Sequence, residues 1–230
     1  MVIVVSSPIQ NVGKTSLAML LTYTFAPEKK LLAIDADLGR NTFTERLGLK
    51  EQLTPDNAGA IFNIESLGTS FDFGFADKFN TPSIEGYEFV IIDFDVSRSA
   101  IHGDLYFPMA NLIIVPRPPW TIKKVKDWFA RFCKIKKDSI QAPVISYPVA
   151  FKYDEPSFEE LKWTWPELYE QWKNYNIKGK INTGNGIPYN EQWEKFITFQ
   201  DYNEDKLKAY IAECSARLKE DYQQWLQIKQ

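Results

Sequence analysis

The sequence predicts an α/β fold, a mostly parallel, doubly wound sheet with helices on both faces. Three observations carry this expectation. Short, largely apolar runs recur at Val2–Val5, Leu31–Ile34, Phe89–Ile92, Leu112–Val115 and Val144–Tyr147. Each is four residues long, too short for a helix and right for a strand buried on both faces. Between them lie glycine-containing turns and amphipathic stretches, the alternation that covers a parallel sheet with helices.

Taken in order, Val2–Val5 is a β-branched strand, and Thr15–Phe25 follows as a helix with Leu17, Leu20, Leu21 and Thr24 along one face. The stretch from about Leu53 to Gly86, rich in Gly, Asn, Ser and Phe, reads as loops with a short strand or two. Trp120–Lys136 has helical spacing at Ile122, Val125, Phe129 and Phe132 and one strongly basic side. The last 80 residues hold five of the seven tryptophans and seven of the eleven tyrosines. Within them Ser157–Lys173 and Asn203–Leu226 read as helices. In the second, Leu207, Tyr210, Ile211, Cys214, Leu218, Tyr222 and Trp225 step by three or four and form one apolar stripe, which core packing explains. Residues 1–230 are expected to form a single domain, long enough to bury a sizeable core.

Composition narrows the chemistry. Lys plus Arg number 27 against 30 Asp plus Glu, so the formal charge of −3 argues against a uniformly basic nucleic-acid binder but says nothing of local patches. Cys133 and Cys214 form no disulfide framework or zinc motif, and a single His102 makes histidine-based catalysis or a multi-histidine metal site a poor expectation. No apolar run approaches the roughly 20 residues that span a bilayer, and Met1–Val5 is too short for a secretory signal, so no membrane insertion and a cytoplasmic location are expected.

The most informative segment runs from Val2 to Ser16: a strand, a loop and a helix start. Such a loop presents successive backbone N–H groups to an anion, and the helix dipole favours negative charge there. Gly13 lets the backbone approach, Lys14 can reach the β- and γ-phosphates, and the Thr15 hydroxyl can ligate Mg²⁺. Gln10, Asn11, Val12, Gly13, Lys14, Thr15 and Ser16 are therefore the candidate nucleotide-binding residues, although Pro8 stands where the strict phosphate-loop pattern has its first glycine. Asp35 and Asp37 follow the Leu31–Ile34 run, and Asp93 ends the Phe89–Ile92 run, at the strand ends where α/β folds gather ligands. Asp93 is assigned to the Mg²⁺ shell and Asp37 to orienting or deprotonating the attacking water. Helix capping or turn hydrogen bonds are the alternative for each.

Together these segments resemble the ParA/MinD group of deviant Walker A ATPases, and so a P-loop NTPase-like fold. Ser7 to Thr15, Ser-Pro-Ile-Gln-Asn-Val-Gly-Lys-Thr, is similar to the family's Ser-x-Lys-Gly-Gly-Val-Gly-Lys-Thr, and Leu32–Leu49 to its strand and switch segment. Tyr87–Asp93, Asn111–Pro116 and Gly186-Ile187-Pro188 resemble its second aspartate strand, its proline-ending strand and its late Ile-Pro element. The resemblance implies ATP and Mg²⁺ as cofactors, a homodimer formed in ATP, slow partner-stimulated hydrolysis, nonspecific DNA or a membrane surface as a platform, and an adaptor of the ParB or McdB kind that connects a cargo. It places Asn41 near the γ-phosphate and the attacking water, and the ATP-bound state on the nucleoid.

The departures are specific. Ile9 stands where the family has a lysine that crosses the dimer, and Asp93-Phe94-Asp95-Val96 replaces its Asp-x-Pro. The carboxysome-positioning McdA branch also lacks that lysine and uses one far along the chain. Lys152, between Phe151 and Tyr153, is the candidate carried over, an ordinary surface lysine being the alternative. Seven cations, Lys123, Lys124, Lys126, Arg131, Lys134, Lys136 and Lys137, face one Asp127 between Thr121 and Lys137. They form either a solvated helix face or a DNA-backbone surface without sequence preference. The segment of about 156–180, with Trp163, Trp165 and Trp172, matches nothing in the family; its tryptophans are either core or an adaptor surface. A metabolic phosphoryl-transfer enzyme of the dethiobiotin synthetase type and a weakly hydrolysing nucleotide-bound scaffold are the competing readings.

Overall fold

The computed structural model describes residues 1–7, 12–37, 42–52, 54–77, 79–95, 100–117, 142, 144–149, 181–183 and 186–228. The five apolar runs are all strands, most of them one or two residues longer than their apolar cores: β1 (Val2–Ser6), β2 (Leu31–Asp35), β5 (Phe89–Phe94), β6 (Leu112–Arg117) and β7 (Val144–Pro148). β8 (Ile181–Thr183) adds an edge. The stretch after residue 53 supplies an antiparallel hairpin, β3 (Ile61–Ser66) and β4 (Thr69–Phe75). Its two turn residues, Leu67 and Gly68, both have positive φ, 53° and 75°, as a two-residue hairpin turn matched to strand twist requires.

The eight strands of the described residues lie in the order β3-β4-β2-β5-β1-β6-β7-β8. All neighbours run parallel except β3 against β4. From β1 the chain moves to β2 on one side, returns to β5 beside β1, then crosses to β6 on the other side. The winding thus reverses at β1, and the carboxyl end of that strand is where such a sheet opens a crevice for ligands.

Strand alternation divides the core into two layers. Ile3, Val5, Ala33, Ile91, Ile114 and Ile145 face α1 (Lys14–Phe25), α4 (Glu191–Ile197) and α5 (Glu204–Ile228). Val2, Val4, Leu32, Ile34, Val90, Ile92, Ile113 and Val115 face Tyr106 and Phe107 of α3 (Ala100–Met109). The expected C-terminal stripe is core: Leu207, Tyr210, Cys214, Leu218 and Trp225 are all buried. They pack over α1, with Phe25 against Tyr222 at 5.1 Å between ring centroids and Thr24 Oγ1 3.0 Å from Ser215 Oγ. Tyr147 of β7 donates to the buried Asp221 carboxylate at 2.8 Å, tying α5 to the sheet.

The face of α1 that carries Leu17, Leu20, Leu21 and Thr24 is buried as expected, and the burial extends round the helix: every residue from Lys14 to Phe25 except Ser16 is buried. Sheet on one side and α5 on the other cover it, so its pattern is that of a helix apolar nearly all round. The helices expected at Trp120–Lys136 and Ser157–Lys173 lie outside the described residues. Among those described, no helix is long and apolar enough to cross a membrane.

Candidate nucleotide site

α1 is the helix that follows β1 in the chain, and Gly13 immediately precedes its first residue. Its φ of 83° and ψ of 18° lie in the left-handed region, where a side chain is strained, and it caps α1. Val12, Gly13, Lys14, Thr15 and Ser16 therefore sit at the N-terminus of a twelve-residue helix that begins beside the sheet's carboxyl edge. Gln10, Asn11 and Ile9 lie outside the described residues.

β5 supplies the facing carboxylates. Asp93 and Asp95 are two residues apart, so the strand's pleat carries both to the side of α1, while Phe94 between them packs in the opposite layer. Thr15 Oγ1 donates to Asp93 Oδ2 at 2.6 Å, and Lys14 Nζ lies 3.3 Å from Asp95 Oδ2. All four side chains are buried. Asp95 was not among the residues expected in the site: the sequence marked it only as a departure from Asp-x-Pro. Alternation from Asp93 is the signal that finds it.

β2 and the turn after it bring the third group. Asp35, fully buried, accepts hydrogen bonds from Thr44 N and Thr44 Oγ1, both at 2.8 Å, and from Asp37 N at 3.1 Å. It anchors α2 (Thr42–Arg46) to the end of β2 and so fixes where Asp37 can lie. Asp37 itself is 4% exposed, with Thr42 Oγ1 donating to its Oδ2 at 3.4 Å. Arg46, the last residue of α2, donates from Nη1 to Ser16 Oγ at 3.1 Å. Val12, Gly13, Lys14, Thr15, Asp37, Thr42, Arg46 and Asp95 enclose a polar cavity of about 60 Å³. Of the residues expected to carry chemistry, Lys14, Thr15, Asp37 and Asp93 are thus brought together. Asn41, Lys152, Lys123, Lys124, Lys126, Arg131, Lys134, Lys136, Lys137 and the segment 156–180 lie outside the described residues.

A second cavity of about 280 Å³, mainly apolar, adjoins the first and shares Gly13 and Arg46 with it. Its far wall is Val149, bridged to Ile187, together with Pro188, Tyr189, Asn190 and Trp193. Asn190 Oδ1 caps α4, accepting from the N–H groups of Gln192 and Trp193 at 2.9 and 3.1 Å. The Trp193 indole N–H is buried with no hydrogen-bond partner. The late Ile-Pro element of the sequence therefore lines a pocket open to the amino-terminal half of α1; Val149 and Trp193 carried no local signal for it.

The carboxylates are electrostatically loaded. Burial, and next the negative Asp35, push Asp93 up to about 7, against the opposing pull of Lys14 and the Thr15 hydrogen bond. Burial likewise pushes Asp35 up to about 6 despite its three hydrogen bonds. Among the described residues, the buried Asp93 Oδ1 has no hydrogen-bond partner. An oxygen left so, beside the Thr15 hydroxyl, fits a cation's hydration shell. Among the described residues no group of three or more His, Cys, Asp or Glu is arranged to hold a metal by itself. That suits Mg²⁺, which keeps several waters and leans on phosphate oxygens rather than on a protein cage.

These shifts predict a pH dependence. A carboxylate whose folded pKa is raised binds its proton more tightly in the native state, so the stability it confers is fully present below the unfolded value and is lost as pH rises through the folded one. With Asp35 at about 6 and Asp93 at about 7, the nucleotide-free protein loses that contribution between roughly pH 4 and pH 7. Asp93→Asn, neutral at every pH, should raise the nucleotide-free Tm by several degrees at about pH 8 and by much less at about pH 5. Differential scanning fluorimetry of both proteins across that range checks it; parallel pH curves would contradict a raised Asp93.

No protein-family model matches the sequence, and no curated protein matches it. Solved structures do match in fold. McdA of Cyanothece without nucleotide superposes with a TM-score of 0.64 at 16% identity, over 96% of this chain and 98% of that one. A variant of Cyanothece McdA has been solved in complex with ATP, with a TM-score of 0.56 at 15% identity over 95% and 96%. The pNOB8 ParA bound to nonspecific DNA gives 0.60 at 14% identity over 96% and 99%. MinD in the MinC:MinD complex of Aquifex aeolicus gives 0.58 at 18% identity over 95% of each chain. With a sheet wound about β1, a glycine-hinged helix start carrying Lys14 and Thr15, and an aspartate strand beside it, this chain has the fold of the ParA/MinD-type P-loop ATPases.

Proposed function

We propose that the chain is an ATP-dependent, dimerising ATPase that binds DNA without sequence preference and positions or partitions a cargo through an adaptor protein. The observation that carries this reading is the Thr15–Asp93 hydrogen bond of 2.6 Å, set beside Lys14 at the amino end of α1. A helix-start hydroxyl aimed at a buried strand-end aspartate is what a magnesium-bound triphosphate requires. The fold supports the rest: of its neighbours, one McdA structure holds ATP, one ParA holds nonspecific DNA, and MinD is bound to MinC.

In this reading Lys14 and the amides of Val12 to Ser16 bind the phosphates, the apolar cavity at Ile187 and Pro188 takes the base, and Thr15 with Asp93 holds the ion. Bound magnesium neutralises charge developing on the phosphates. Asp37 orients the water, with Asn41 close to the terminal phosphate. Lys152 supplies the cation that Ile9 does not, reaching the partner's phosphates. The basic 121–137 segment holds the DNA backbone, so the ATP-bound dimer rides on the nucleoid while the whole chain acts as one domain. The adaptor stimulates a slow hydrolysis that resets the cycle.

Analytical ultracentrifugation with ATP, ADP or no nucleotide, each with and without duplex DNA, tests this. A dimer seen only with ATP and Mg²⁺, which then binds DNA with an affinity falling steeply as salt rises, is the expected result. A monomer in every condition would overturn it. The missing loop lysine favours a second reading, a nucleotide-bound scaffold, and phosphate release that stays negligible with DNA and adaptor both present would select it.

A further inference from the structure

We propose that Arg46 is a second cation of the nucleotide site, supplied in cis, which binds the phosphate nearest the base. The inference rests on the nucleotide reading of the site and adds a residue to it. Arg46 is the only charged side chain that lines both cavities, the polar one at the amino end of α1 and the apolar one at Ile187 and Pro188, among the described residues. A nucleotide whose base fills the second and whose distal phosphates fill the first must pass its innermost phosphate through the wall they share. Gly13 and Arg46 are that wall.

The local chemistry agrees. The guanidinium has five N–H donors and spends one on Ser16 Oγ, at 3.1 Å. Among the described residues it makes no ion pair with a carboxylate, although it is half-buried. Burial draws its pKa down, against the opposing charges of Asp93 and Asp35. A cation taken partly out of water without a paired anion costs free energy, which an arriving phosphate repays with bidentate, charge-assisted bonds. Ser16 is the third residue of α1, and its hydroxyl holds the guanidinium at the helix's positive end, where only an anion would relieve both. A magnesium-bound triphosphate stays net anionic, and Lys14 is shared with Asp95, so the site gains from a cation that, among the described residues, forms no ion pair.

The position was not legible as a motif because Ser16 and Arg46 are thirty residues apart. What places Arg46 is Asp35: by accepting from both Thr44 N and Thr44 Oγ1 it pins the middle of α2, and Arg46 lies two residues further on.

The test is isothermal titration of adenosine, ADP and ATP with Mg²⁺ into the full chain and into Arg46→Ala and Arg46→Lys. ADP and ATP should weaken by a similar factor, on the order of 10- to 30-fold, in Arg46→Ala, with adenosine unchanged and Arg46→Lys recovering part of the loss. The nucleotide-free Tm of Arg46→Ala should be equal to or higher than that of the parent, since a half-buried charge with no ion pair among the described residues is removed. Equal affinities in parent and Arg46→Ala would overturn the proposal, as would a loss seen with adenosine, a loss confined to ATP, or a lowered Tm without a change in affinity. Failure of the parent itself to bind ADP or ATP would instead overturn the nucleotide reading of the site, and so separates the two.

Discussion

Replacing Lys14 by Ala is expected to lower affinity for ATP by roughly 100-fold or more, equivalent to about 2.7 kcal/mol, because it removes a charge-assisted contact to the outer phosphates from a site where water is largely excluded. Lys14 is 7% exposed and lies 3.3 Å from Asp95, whose side chain is 1% exposed, so the same substitution also takes a counter-ion from a buried carboxylate. Breaking one side of such a pair costs about 3–5 kcal/mol. Lys14→Ala should therefore lose both nucleotide binding and nucleotide-free stability. The second loss must not be mistaken for the first. Combining Lys14→Ala with Asp95→Asn removes the stranded charge: Tm should return toward the parent value while ATP binding stays lost. Calorimetric titration of ATP beside a melting curve for each protein separates the two effects. A double variant that regains ATP binding along with its stability would mean that Lys14 only holds the loop together.

That coupling also marks where reading residues along the chain stops. The strands were legible because parallel strands buried on both faces must be apolar throughout, as Val2–Val5 and Phe89–Ile92 are. Gly13, Lys14 and Thr15 were legible because a helix start that binds phosphate needs those residue types in that order. The hairpin was not, since its turn uses Leu67 at φ 53°, a residue that advertises no turn, in place of the Asn or Asp common there. Asp35 and Asp37 look alike in sequence, yet the fold separates them: Asp35 is saturated by Thr44 and the Asp37 amide, while Asp37 lines the polar cavity. Asp95 and Arg46 belong to the site only through contacts 81 and 30 residues away, with Lys14 and Ser16. Alternation from Asp93 points to the face that Asp95 shares but not to its partner; the contacts themselves follow from the parallel register that sets Asp35 and Val5 on either side of Asp93.

The separation of the two aspartates yields the other large expected effect. Asp37→Ala should lower the rate of ATP hydrolysis by about 100-fold or more, the range of a lost general base or water-orienting group. ATP should still bind and still drive dimer formation. Asp37 contributes its backbone N–H to Asp35, which alanine retains, so the anchoring of α2 should survive. Its carboxylate raises the pKa of both Asp35 and Asp93, so removal relieves like-charge repulsion at a site that must accept an anion. ATP affinity should accordingly hold or improve, and the dimer should persist for as long as hydrolysis is slow. Asp35→Asn provides the contrast. Its amide keeps one acceptor oxygen where the carboxylate had two, so the bonds from Thr44 and from the Asp37 N–H cannot all be kept, and nucleotide affinity should fall because α2 loses part of its anchor. Phosphate release measured alongside sedimentation in ATP distinguishes the pair. Normal hydrolysis in Asp37→Ala would remove Asp37 from the reaction and leave the water-orienting role to another residue at the same strand end.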